Sequence, residues 1–346
     1  MKTSCRDAKP RGGFALFSRS LILFFAALSL GASPGSVGAD DQPPAAREGT
    51  VQFVPFGNED DVPPQFRLQP HEFRFRQTPL KSVSRETELS EVTFPSPVTT
   101  PFECNNTVHC EYFRPRVEGK RPAVVVLHIL GGDFPLARLF CRYLSSSGTA
   151  ALFVKMPYYG PRRPLDVRKR MISEDPQETV EGMRQAVLDI RCAAAWLASR
   201  EEVDSQQIGI FGISLGGIMS ALVAAQEPRI QNVCLMLAGG DLGRAVWQTR
   251  EAQRARDRWL AEGRTLEDFI EILREVDPAT YAERLRGRRM FMLNASRDEV
   301  IPPACTESLW ERAGKPQILW YDAGHYSAIR FIFDALGETT RFFQAR

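Results

Sequence analysis

The sequence predicts an α/β fold with a mainly parallel central sheet. Three observations carry this. Six short apolar runs recur from residue 123 onward: Ala123–Leu127, Thr149–Val154, Ile208–Phe211, Asn232–Leu237, Met290–Leu293 and Gln317–Trp320. Unbroken runs of this kind are expected of strands buried on both faces. Segments with helical spacing fall between them. One run, Ile208–Phe211, leads directly into Gly212-Ile213-Ser214-Leu215-Gly216-Gly217 and then a helix pattern rich in small residues, Ile218 to Ala225. Ligands of such sheets lie beyond the C-terminal strand ends.

Taken in order, residues 1–39 have the form of a secretory signal. Lys2, Arg6, Lys9, Arg11 and Arg19 precede the apolar core Leu21 to Leu30, and Val37-Gly38-Ala39 offers a cleavage site before Asp40. The core is too short to span a bilayer comfortably. The expectation is an exported protein, periplasmic or secreted, with an uncleaved N-terminal anchor as the alternative and no stable membrane span after cleavage. No cysteine follows the core, so a lipid anchor is not expected. Residues 40 to about 70 are rich in Pro and acidic residues and read as a mobile leader. His71–Arg76 alternates polar and apolar residues, and residues 92–114 hold further short strand-like runs. The main domain is set at residues 96–346, after a leader and N-terminal strands at 40–95.

The balance of 44 basic and 42 acidic residues gives a net charge of +2, with no electrostatic footprint for nucleic acid. Six cysteines remain after residue 39. Cys104 and Cys110 flank Asn105-Asn106-Thr107, read as a hairpin turn and also a glycosylation sequon, and export would permit a disulfide there. The other four sit in apolar settings and read as small buried hydrophobes. No spacing suggests a zinc site. The clearest helix runs from Pro176 to Ser199, with Asp175 as its cap, Glu178 completing a capping box, and Val180, Met183, Val187, Ile190, Ala194 and Leu197 forming one sheet-facing stripe. Between 241 and 288 the alternation lapses into charged helical patterns. This insertion reads as a lid over the strand ends or as solvated helices without a part in binding.

The chemistry concentrates at three strand ends. In Gly-x-Ser-x-Gly between strand and helix, Ser214 sits on a sharp turn with the helix N-terminus behind it, where an oxyanion would be stabilised. A serine needs a base, and the base needs an acid to orient it. His325 follows the last strand and is the candidate base. Asp298, after the fifth parallel run, is the candidate acid, with Asp241 as its rival. Leu215 N–H is one candidate oxyanion donor. Leu130, in the loop His128-Ile129-Leu130-Gly131-Gly132, is the other, with Ile129 and Gly131 as alternatives.

In the order Ser214, Asp298, His325, the chain from about residue 96 resembles the α/β-hydrolases, and is most similar to their dienelactone-hydrolase-like and acetyl-esterase-like branches. The carriers are Gly212-Ile213-Ser214-Leu215-Gly216-Gly217, Ser296-Arg297-Asp298-Glu299-Val300-Ile301-Pro302 and Gly324-His325. Met156-Pro157-Tyr158-Tyr159-Gly160-Pro161-Arg162 also resembles the loop after the fourth sheet strand in those branches. The resemblance implies that this loop lines the pocket and that Tyr158 and Tyr159 bind substrate; otherwise they are aromatic turn residues. Many relatives carry His-Gly where this chain has His128-Ile129, and a serine in place of a cysteine sets it apart from true dienelactone hydrolases. The expectation is an exported serine hydrolase of carboxylic esters that needs no metal or organic cofactor. Its substrate would be a small-molecule or polysaccharide-linked ester. The alternatives are a peptidase on the same fold, for whose extra propeller domain residues 40–95 are too few, and a catalytically silent binding protein.

Overall fold

The computed structural model describes residues 45–81, 84–132, 134–249 and 252–345. The signal-like segment 1–39 lies outside them. The described strands form one ten-stranded sheet: β1 (Arg47–Phe53), β2 (His71–Leu80), β3 (Thr87–Pro95), β4 (Thr107–Pro115), β5 (Arg121–Leu127), β6 (Ala150–Lys155), β7 (Val203–Ile213), β8 (Ile230–Met236), β9 (Arg289–Ala295) and β10 (Gln317–Tyr321). The order across the sheet is β1-β2-β3-β4-β6-β5-β7-β8-β9-β10. Strands β5 to β10 run parallel, and β1 to β4 add an antiparallel flank that joins at β6. The sheet is apolar on both faces because both are covered. In β5, Val124 and Val126 point to one core, and Ala123, Val125 and Leu127 to the other. Helices α1 (Pro135–Ser146) and α9 (Ile332–Gln344) cover the first core; α2 (Pro176–Ala198), α3 (Leu215–Gln226) and α8 (Pro303–Arg312) cover the second.

Four local expectations are corrected. The stretch read as a mobile leader is part of the sheet: β1 pairs with β2 from Arg47↔Gln77 to Phe53↔His71. Val51, Phe53, Val62 and Phe66 are buried, each burial stabilising by about 2 kcal/mol. A buried ion network pins the segment to the body. Arg191, on α2, holds Glu59 (2.6 Å) and Glu227 (3.2 Å), and Glu227 also holds Arg229 (2.9 Å). The main body therefore begins well before residue 96. Cys104 and Cys110 are free thiols: Cys104 opens a short 3-10 turn, whereas Cys110 lies inside β4 with its side chain in the core. The sequon is closed for the same reason. Asn105 is buried, its amide donates to Gln185 (2.8 Å), and its Oδ1 accepts from Tyr158 N–H (3.0 Å). Finally, Asp175 caps α2 by accepting from Gln177 N–H (2.9 Å), but no capping box forms. Glu178 turns instead to Ser173 (2.6 Å) and Lys169 (2.8 Å). Helix α2 is also buried well beyond the single expected stripe, because the N-terminal segment and the insertion cover its outer side.

The insertion holds α4 (Leu242–Gln248), α5 (Gln253–Ala261), α6 (Leu266–Arg274) and the single turn α7 (Pro278–Tyr281). It has a small aromatic core of Trp247, Trp259 and Phe269. Asp277 closes its two ends, accepting from the N–H groups of Asp241 (3.1 Å), Leu242 (2.6 Å) and Ala279 (2.8 Å). Among the described residues no helix is long and apolar enough to cross a membrane.

Candidate active site

Strand β7 and helix α3 meet so closely that only glycine fits between them. A Cβ on Gly212 would collide with the Gly216 carbonyl, and one on Gly216 would stand 2.6 Å from the Leu127 carbonyl oxygen. Between these glycines Ser214 adopts φ +54° and ψ −118°, a strained region for a side-chain-bearing residue. The sheet holds it there, since Ser214 N–H donates to Met236 O (2.8 Å).

The strand ends bring three predicted residues into one hydrogen-bonded chain. His325 Nε2 lies 3.0 Å from Ser214 Oγ, and His325 Nδ1 lies 2.7 Å from Asp298 Oδ2. The carboxylate of Asp298 is itself fixed, because its other oxygen accepts from Val300 N–H (2.8 Å) and Ile301 N–H (2.7 Å). An ionised Asp298 assigns the histidine proton to Nδ1 and leaves Nε2 free to accept from the serine. Asp241 is not in this chain. It begins α4 in a left-handed conformation, and its own N–H is bound by Asp277.

Leu215 is the first residue of α3, so its N–H has no acceptor within the helix. The loop after β5 carries Leu130, whose side chain is exposed. That loop is anchored from below by His128, a residue with no role in the sequence reading. His128 is buried, its Nδ1 faces Ile129 O (2.8 Å), and its Nε2 accepts from Met156 N–H (3.2 Å). Burial pushes its pKa down to about 4. The ring is therefore neutral and one tautomer satisfies both partners. Tyr159 packs against His128 with ring centroids 4.5 Å apart, and its ring lies against Gly132, where a Cβ would stand 2.9 Å from it. Tyr159 thus touches the glycine loop directly. Tyr158 does not: it is buried in the core, edge-on to Phe102 and under the Lys169 ammonium.

Arg162 ends this segment. It is fully buried, pairs with Asp189 (2.8 Å), and donates to Lys155 O (3.2 Å) and Asn105 O (2.8 Å). Burial raises the Asp189 pKa against the pull of Arg162. The loop carrying Tyr159 is held by this ion pair.

Two family models match the chain: "Alpha/beta hydrolase domain containing 18" over residues 79–242 and "Prolyl oligopeptidase family" over residues 183–326. An uncharacterized protein of Mycobacterium tuberculosis H37Rv is 31% identical over 176 residues, 49% of this chain; the chain spans 40% of that relative's length. A probable 2-oxo-3-(5-oxofuran-2-ylidene)propanoate lactonase of Bradyrhizobium sp. is 28% identical over 118 residues, covering 34% of this chain and 46% of the lactonase. Among solved structures, acetyl xylan esterase 1 of Thermoanaerobacterium sp. JW/SL YS485 superposes with a TM-score of 0.64 at 20% identity, covering 78% of this chain and 88% of the esterase. The acetyl xylan esterase of Paenibacillus sp. R4 gives 0.63 at 20% identity, covering 77% and 88%.

Proposed function

Since the chain belongs to the α/β-hydrolase superfamily and its relatives point to a serine hydrolase, we propose that it cleaves carboxylic esters through Ser214, His325 and Asp298. The observation that carries this reading is the unbroken hydrogen-bonded path from Ser214 Oγ through the imidazole to Asp298. In the proposed mechanism Ser214 Oγ attacks the acyl carbon while His325 Nε2 takes its proton. Asp298 keeps Nδ1 protonated and stabilises the imidazolium. The N–H of Leu215 and that of Leu130 receive the oxyanion. His325 then returns the proton to the leaving alcohol, and water releases the acyl-enzyme by the same path. Tyr159 acts by supporting the oxyanion loop and the pocket wall.

The substrate is a small-molecule or polysaccharide-linked ester, and acetyl esters are the first to try because both named structural neighbours are acetyl xylan esterases. The action is extracytoplasmic, as the signal-like segment 1–39 implies. A second reading, peptide hydrolysis, is favoured by the likeness to the prolyl oligopeptidase family. A fluorophosphonate probe with peptide mapping tests the nucleophile, and paired ester and peptide panels separate the two readings. The expected result is adduct on Ser214, ester turnover, and loss of both in Ser214→Ala by about 10⁴-fold or more. Comparable turnover by Ser214→Ala would sink the assignment.

A further inference from the structure

The loop after β9 and the loop after β10 are laced together residue by residue. Ser296 N–H donates to Tyr321 O and Arg297 N–H to Ala323 O, both at 2.9 Å. The Arg297 guanidinium pairs with Asp322 Oδ1 (2.9 Å) and donates to its carbonyl (3.1 Å). Asp298 takes the His325 ring. The next residue, Glu299, takes the His325 main chain: its Oε2 accepts from His325 N–H at 3.0 Å. The same carboxylate oxygen occupies the space over Gly324, where a Cβ would collide with it and stand 3.2 Å from Arg297 O. The backbone of Gly324 is not in the left-handed region. Glu299 Oε2 therefore lies directly against Gly324, in space a larger side chain could enter only by displacing that carboxylate.

Resting on the triad reading above, we propose that Glu299 is a positioning residue for the reaction: it fixes the Cα from which the His325 imidazole hangs, while Asp298 fixes the ring. Two adjacent carboxylates thereby hold one histidine at both ends. A ring that must stay within hydrogen-bond reach of Ser214 Oγ is sensitive to small displacements of its Cα, and misplacement of an angstrom costs rate steeply. Glu299 is exposed, so its carboxylate is not there to complete the core. The other groups facing that ring are Asp298, Ser214 Oγ and Tyr326, whose ring stands edge-on at 5.5 Å. Cys305 of α8, its thiol pushed by burial to about 11, interacts with Asp298 and Asp241 and stays neutral.

The test is steady-state hydrolysis of p-nitrophenyl acetate across pH 5–9 by the full chain, Glu299→Ala and Glu299→Gln, with Ser214 labelling and thermal midpoints in parallel. Glu299→Ala should lower kcat by about ten- to a hundredfold with KM nearly unchanged. Glu299→Gln keeps an acceptor for His325 N–H and should recover kcat to within about threefold. Wild-type kcat in Glu299→Ala would overturn the proposal. Equal losses in both variants, tracking their thermal midpoints, would also overturn it in favour of a merely structural role. A wild-type chain that neither labels at Ser214 nor turns over ester would instead overturn the triad reading, and this inference with it.

Discussion

Replacing His128 with Phe tests whether a neutral buried imidazole holds the glycine loop. Phenylalanine keeps an aromatic ring among Phe134, Phe153 and Tyr159 but leaves Met156 N–H and Ile129 O without their partner. Two unpaired buried polar groups cost about 2–4 kcal/mol at pH 7. The pH dependence is the sharper readout. In the folded chain His128 titrates near 4, against an ordinary value of 6.5. Between those values the unfolded chain binds a proton at this residue that the folded chain refuses. Wild-type stability from this group is thus complete above about pH 6.5 and falls on acidification, by about 3 kcal/mol in all by pH 4. His128→Phe has no such group, and the other histidines are common to both chains and cancel. Urea unfolding followed by tryptophan fluorescence from pH 7 to pH 4 should show the gap between the two proteins closing to near zero. Two curves that stay parallel would refute the neutral-anchor reasoning.

Two further predictions concern the site and its support. Asp298→Asn should lower kcat by about three to four orders of magnitude through the wrong histidine tautomer, whereas Asp241→Asn should stay within about threefold; the reverse ranking in ester kinetics would move the acid to Asp241. Arg162→Met should destabilise the fold by about 3–5 kcal/mol by stranding buried Asp189, and pairing it with Asp189→Leu should recover much of the loss; urea midpoints that fall equally in the single and double variants would contradict this.

Much of the architecture was legible in the sequence because its signals are local. Each parallel strand is a continuous apolar run, and Gly212 to Gly217 places the elbow without reference to anything distant. His325 and Asp298 could be picked out by their positions just after strands, although their approach to Ser214 is a product of the whole sheet. The first strand, β1, was missed for the opposite reason. Arg47–Phe53 carries Gly, Thr and charges, and its Phe53 ring is covered by Arg191 and Arg229 far along the chain. Cys104 and Cys110 looked paired because spacing does not reveal that one residue opens a turn and the other faces a core. His128, Arg162 and Glu299 act through partners 28, 27 and 26 residues distant, and such pairings leave no mark in spacing. For Arg162 a faint signal existed: a basic residue closing an aromatic, Pro-containing turn between two apolar elements.

The ion network under the N-terminal strands also bears on the order in which the chain can fold. Glu59 meets Arg191 132 residues later, and the Val54 carbonyl meets Arg229 175 residues later. The β1–β2 pair can close early and extend onto β3, but its core face is not covered until α2 and the end of α3 have been synthesised, on the order of ten seconds or more afterwards at ordinary translation rates. During that interval Val51, Phe53 and Phe66 have no core to enter. Contacts of this sequence separation slow folding, so the first-made strands are among the last to be secured, and holding them apart from other chains until then falls to chaperones or to the charges that flank them.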